Sequence, residues 1–168
     1  MGRIVITVLR LVIAVALAGS LAVQLVLLPL LWLDMDGAPA WTRVAVVTIL
    51  ALGVMALQAC GVCIWRLLTM VRRDTVFSHA AFRYVDVTVG AIAAASVLTF
   101  SLAVVAAVTN RTIPGDAVAP GVVALLCGAS LVIAGVAMLV RVMRALLVQA
   151  VATAAEARDL KTELDGVI

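Results

Sequence analysis

Trp65-Arg66-Leu67-Leu68-Thr69-Met70-Val71-Arg72-Arg73-Asp74-Thr75-Val76-Phe77-Ser78-His79-Ala80-Ala81-Phe82-Arg83-Tyr84-Val85-Asp86 is the stretch on which the reading of this chain turns. It is the one polar break long enough to do more than turn a corner. A pair of long apolar runs lies on either side of it. The break carries four arginines, Arg66, Arg72, Arg73 and Arg83. Basic residues beside apolar runs set how a chain faces across a bilayer. Two pairs of runs around such a break describe four membrane-crossing helices.

Composition points the same way. The chain has 168 residues, of which 66% are hydrophobic and 12% charged. Its mean hydropathy is +1.29. A water-soluble domain is nearer half apolar and about a quarter charged, and it could not cover this much apolar surface. The net charge of +3 is not a nucleic-acid footprint, because the arginines flank apolar runs instead of forming a soluble basic patch. Lys161 is the single lysine among twelve basic residues. The excess of Arg, Ala, Val and Gly suggests a GC-rich bacterial source. Cys60, Cys63 and Cys127 all fall inside apolar runs, where cysteine behaves as a small hydrophobe, so no disulfide framework is expected.

The expected spans follow from length. A hydrocarbon core of about 30 Å needs roughly 20 helical residues. The first run, 11–33, meets this and continues well past Ala16-Leu17-Ala18. It is therefore read as an uncleaved span, not a signal peptide. Arg10 sits at its edge, where it can snorkel to the headgroups. Gly37 and Pro39 stop the helix, and Trp32 and Trp41 flank the turn as an interfacial belt would. The second span is 44–68. After the break (connection 66–84), Ser78 is expected to cap a new helix, with Phe77 and Phe82 as a hydrophobic staple. The third span is 85–108. A short turn over Thr109–Asp116 leads to the fourth span, 118–140. From Arg141 to Leu164 there is neither Pro nor Gly. Leu147, Val151, Ala154, Ala157, Leu160 and Leu164 recur at three- and four-residue steps, the spacing of one helix face. The segment 141–168 is therefore read as a helical tail leaving the membrane and ending near Gly166. The fold class is an all-α four-helix membrane bundle whose fourth helix is extended into an amphipathic tail.

Charge gives the orientation. Ten basic residues fall on one side of this arrangement, and only Arg43 and Arg111 on the other. The positive-inside rule then places both termini and the central break in the cytoplasm, in a bacterial inner membrane. The two outer loops are too short to fold alone.

Chemistry-bearing motifs are few. Cys60-Gly61-Val62-Cys63 has the C-x-x-C form of a redox pair. A second pair is missing, the motif faces a reducing compartment, and no base or cation lies in the adjoining apolar turns. It is read as small-residue packing. A transporter would place an ionisable residue at mid-bilayer, and no Asp, Glu, Lys or His falls at that depth. Gln24 and Gln58 are the candidate intramembrane polar pair, bonded to each other across two helices or lining a polar path. An unpaired amide in hydrocarbon is costly, which favours the bond. His79, the only histidine, has no neighbouring acids or cysteines and is not a metal site. No cofactor and no catalytic residue is expected. Small-residue stripes recur on each span: Ala14, Ala18 and Ala22; Gly53, Ala56, Cys60 and Cys63; Gly90, Ala94 and Ser101; Gly121, Ala124, Gly128 and Gly135. They are read as packing within the bundle, the alternative being an outward face that makes a homo-oligomer.

The candidate cytoplasmic interaction residues are Arg72, Arg73 and Arg83 in the break and Glu156, Asp159 and Glu163 in the tail. The acids share one stripe and would dock on the arginines. In the alternative both sets are solvated, the arginines meeting anionic lipid at about 1 kcal/mol each.

Two segments resemble the YoaS-like family of small bacterial four-span membrane proteins of unknown function. One is Asp74-Thr75-Val76-Phe77-Ser78 followed by Arg83. The other is Leu146-Leu147-Val148-Gln149-Ala150 running to Glu163-Leu164-Asp165-Gly166-Val167-Ile168. The resemblance implies a four-span layout over nearly the whole chain and carries no activity or site residues with it. His79-Ala80-Ala81 departs from the polar residue that family has after Phe-Ser.

The expected function is a non-enzymatic interaction or regulatory subunit acting through the connection and the tail. The alternative is a small transport or permeation component, or a transporter accessory subunit. The expected partners are the bilayer, a protein on the cytoplasmic face and a second copy of the chain, with no direct nucleic acid.

Overall fold

The computed structural model describes residues 3–71, 79–112 and 118–165. Within them the chain forms helices joined by turns, with no strand. In order it forms α1 (Arg3–Ala22), a π-turn (Val23–Leu27), α2 (Leu28–Asp34), α3 (Ala40–Val71), α4 (His79–Thr112) and α5 (Pro120–Asp165). Four of these paths are long and apolar enough to cross a membrane, with α1, the π-turn and α2 counting as one. Hydrocarbon offers the backbone no partners, so only a conformation that bonds its own N–H and C=O groups can stand there. This protein is a multi-pass membrane protein.

Pro29 explains the irregular first span. It has no N–H to give, and its ring would meet the carbonyl four residues back. The chain widens by one residue just ahead of it. Leu28 N–H reaches Val23 O, five residues back, and Pro29 falls in the first turn of α2, where a missing N–H costs little. Two expected boundaries shift. α3 begins at Ala40, four residues before the expected span. α4 runs on through Thr109–Thr112, which were expected as a turn. The hydroxyls of Thr109 and Thr112 bond back to Val105 O and Val108 O at 2.8 and 3.1 Å. The expected cap at Ser78, both side chains of its Phe77–Phe82 staple and the helix end near Gly166 lie outside what the structure describes.

Helices pack with their neighbours in sequence: α1 and α2 on α3, α3 on α4, α4 on α5. The α1–α3 seam is the thinner one. Gly61 marks its close approach, since a Cβ there would lie 3.1 Å from Leu17 Cδ2. The buried set is small: Ile13, Leu28, Cys63, Ala103 and Ala137, with Thr42, Ser96, Thr109 and Ser130. Large apolar side chains face outward, among them Leu125 at 70% and Leu131 at 75% exposure. That pattern suits lipid as the solvent.

The small-residue stripes are not where packing within the bundle would put them. Ala14, Ala18 and Ala22 are exposed, as are Gly90 and Ala94, and Gly121, Ala124, Gly128 and Gly135. The first span meets α3 through Ile13 and Leu17 at Gly61 and through Ser20 and Gln24 at Gln58 instead. Only the stripe on α3 is turned inward, and even there nothing lies within 4 Å of a Cβ added at Gly53.

Candidate functional site

Polar side chains tie the helices at three levels. At mid-span the structure brings Gln24 and Gln58 together. Gln58 Nε2 donates to Gln24 Oε1 at 2.9 Å and to Ser20 Oγ at 3.2 Å. Gln24 Nε2 reaches Ala51 O at 3.4 Å, and Ser20 Oγ donates to Leu17 O at 2.8 Å. Gln24 lies inside the π-turn, so the distortion that Pro29 imposes also positions this amide. π-turns recur where a side chain has a special task. In the second pair, Ser96 Oγ donates to Ser130 O at 2.8 Å, joining α4 to α5 in the buried core.

At the ends of the first pair, an arginine lies over a tryptophan. Arg10 is 5.7 Å from the Trp65 ring centre and Arg43 is 5.4 Å from that of Trp32. A guanidinium over an indole gains about 0.5–1 kcal/mol, more when desolvated. Arg10 Nη2 also donates to Thr69 Oγ1 at 3.0 Å. The arginine expected to snorkel is therefore held by α3. Arg43 closes the first turn. Its Nη2 and Nε donate to Met35 O at 2.7 and 3.2 Å, and it pairs with Asp36 at 3.1 Å. Arg10 and Trp32 are 22 residues apart, and so are Arg43 and Trp65. The rise over that length is about 33 Å, close to the roughly 30 Å of a hydrocarbon core. The two clamps thus sit where the two headgroup regions would lie.

The second pair is closed differently. Arg144 Nη2 meets Asp86 Oδ2 at 2.6 Å. At the opposite end Asn110 Nδ2 donates to Val118 O at 2.6 Å while Asn110 Oδ1 accepts from Val118 N–H at 2.9 Å. One amide thereby satisfies both backbone groups of the residue that re-enters the bilayer.

The expected interaction residues are placed as follows. Arg83 and Glu156 are exposed. Arg72 and Arg73 lie outside the described residues, as do the side chains of Asp159 and Glu163. α5 runs antiparallel to α4 with Arg144 opposite Asp86. Arg83 therefore stands about 4.5 Å beyond that pair and Glu156 about 18 Å beyond it, and the structure does not bring these two together. Every side chain from Ala145 to Thr153 is exposed, including Leu146 and Leu147 at 56% each. Cys60, Cys63 and Cys127 are free thiols. Among the described residues no three His, Cys, Asp or Glu side chains come together.

Sequence reasoning missed the Asp86–Arg144 pair, the Asn110 clamp, both arginine–tryptophan contacts and the π-turn. Pro29 was the available signal for the last. The others depend on which helix faces which. Residues 30–168 match the model of a family described as proteins of unknown function, DUF2975, and the chain belongs to that family. No curated protein and no solved structure matches it.

Proposed function

We propose, for this member of a family of unknown function, that it is a non-enzymatic interaction or regulatory subunit of a bacterial cytoplasmic membrane. It docks a protein partner on the cytoplasmic end of α5. The supporting observation is the length of that helix. Its 46 residues span about 69 Å, more than twice the hydrocarbon thickness. Asp86 holds Arg144 about 36 Å along it, a little more than the hydrocarbon thickness. Beyond it Leu146, Leu147 and Val151 have their apolar side chains exposed, and an exposed apolar stripe on a helix is what a partner groove accepts. The ten-to-two distribution of basic residues supports both termini being cytoplasmic. The likeness to YoaS-like proteins in 74–83 and in the closing acidic helix belongs to the same reading. Arg72, Arg73, Arg83, Glu156, Asp159 and Glu163 are its polar contacts to the partner.

The permeation reading has less support. Gln24 and Gln58 bond each other, Ser20 and Ala51 O, which supports their use as a tie between helices.

The test compares the full chain with a version ending at Arg144. Both are purified in gentle detergent from the native host and quantified by mass spectrometry. A stoichiometric partner present with the full chain and lost with the shorter one is expected. The same homo-oligomer from both, with no partner, overturns the proposal.

A further inference from the structure

Between α4 and α5, at the end that carries the Asp86–Arg144 pair, runs an open furrow of about 430 Å³, within the range of ligand sites. Its floor is made of small residues. Ser96 and Ala137 are 9% and 6% exposed. Its rims are Val97 and Met138, turned outward at 65% and 72% exposure. Arg141 lines one end of it, with Val89 opposite on α4.

The floor and the end differ in chemistry. The only hydroxyl in the furrow, Ser96 Oγ, already donates to Ser130 O at 2.8 Å, so the floor offers a polar ligand no donor. Along α4 the furrow extends only from Val89 to Val97, about 12 Å and less than half a hydrocarbon thickness. A partner helix would follow a seam along a whole span. An acyl chain needs neither hydrogen bonds nor that length. Arg141 is exposed, and its place 21 residues from Pro120 sets it about 32 Å along α5, where the hydrocarbon ends. Among the described residues the ion pairs are Arg43–Asp36 and Arg144–Asp86, so the charge of Arg141 is uncompensated. Asp86 is the one acid in 83–90 of α4 and 140–147 of α5, and Arg144 takes it. Arg83 and Arg141 leave this end of the pair net positive.

We propose that the furrow binds a membrane phospholipid with a net-negative headgroup. One acyl chain lies on the floor between Val97 and Met138, and the phosphate meets the Arg141 guanidinium, whose fork suits phosphate oxygens. The apolar floor selects the chain. The uncompensated arginine selects the anionic head, since a zwitterionic lipid brings its own cation. The site requires no partner on α5 and stands whichever end of the protein is cytoplasmic.

The full chain in nanodiscs of phosphatidylethanolamine and phosphatidylglycerol, doped with a phosphatidylglycerol bearing a diazirine in one acyl chain, tests it. Photolabel is expected to concentrate on 89–97 of α4 and 134–141 of α5. Phosphatidylglycerol should displace that label about fivefold better than phosphatidylcholine of equal chains, the factor for one arginine meeting anionic lipid. Arg141→Gln should erase the headgroup preference, Arg141→Lys should keep it, and Ala134→Leu, which fills the furrow, should remove the local label. Label spread evenly over the outward faces overturns the proposal. So does equal displacement by the two lipids on the unmodified protein, a comparison that depends on no variant folding. A furrow left unlabelled, while Met138→Cys in a cysteine-free background crosslinks to a second copy, overturns it in favour of a dimer.

Discussion

Replacing Gln58 by leucine should cost this protein about 1–2 kcal/mol, and replacing its partner as well should cost hardly more. Leucine is close to glutamine in size, so packing is largely kept. The single change removes the 2.9 Å bond to Gln24 and the 3.2 Å bond to Ser20. Bonds between membrane helices average about 0.6 kcal/mol and reach about 1.7. It also leaves Gln24 Oε1 without its donor in hydrocarbon. Gln24→Leu removes the shared bond and the long contact to Ala51 O, about 1 kcal/mol. In the double variant no orphan amide remains, because Ser20 keeps its bond to Leu17 O. The coupling should therefore be about 0.6–1.5 kcal/mol. Equilibrium unfolding in mixed micelles, followed by helix content and by thiol accessibility of Cys63, would measure all four corners of the cycle. Additivity within about 0.3 kcal/mol would refute the reasoning, since it would mean the two amides do not depend on each other.

Three further outcomes follow from the packing. Gly61→Leu should destabilise by about 1–3 kcal/mol through the contact with Leu17, while Gly53→Ala, with open space around it, should stabilise by about 0.5–1 kcal/mol from helix propensity; the same unfolding assay distinguishes them by sign. Asn110→Ala should cost about 1–2 kcal/mol by stripping both partners from Val118, and Asn110→Asp should lose the donated bond while keeping the accepted one, giving a smaller loss at neutral pH. If both termini are cytoplasmic, a cysteine at Asp36 in a cysteine-free background should react with an impermeant maleimide in intact cells. One at Thr153 should react only after permeabilisation, and the reverse pattern would invert the topology.

The helix boundaries show how far local sequence reaches. Hydropathy placed all four spans because a lipid-immersed segment must bond its own backbone, a requirement each segment meets alone. Boundaries moved where side chains intervened. Thr109 and Thr112 extended α4 by bonding carbonyls already in their own helix, and Asn110 bridged the turn that was expected to begin there. The mutual bond of Gln24 and Gln58 was readable because two amides in hydrocarbon have few other options.

The faces were not readable. Small residues at helical spacing look alike whether they meet a helix or a lipid tail, because lipid supplies no hydrophobic force to draw one side inward. Ala14–Ala18–Ala22 and Gly121–Gly128–Gly135 consequently face outward, while Ile13 and Leu17 make the seam with Gly61. Asp86 and Arg144 stand 58 residues apart in the chain, and nothing in either local pattern names the other. Local sequence was enough to give a helical chain with four segments long and apolar enough to cross a membrane, since those are properties of single segments in a solvent without hydrogen-bond partners. Which residues pair and which faces turn outward came only from the packing of one helix on another, since those are set by contacts between segments.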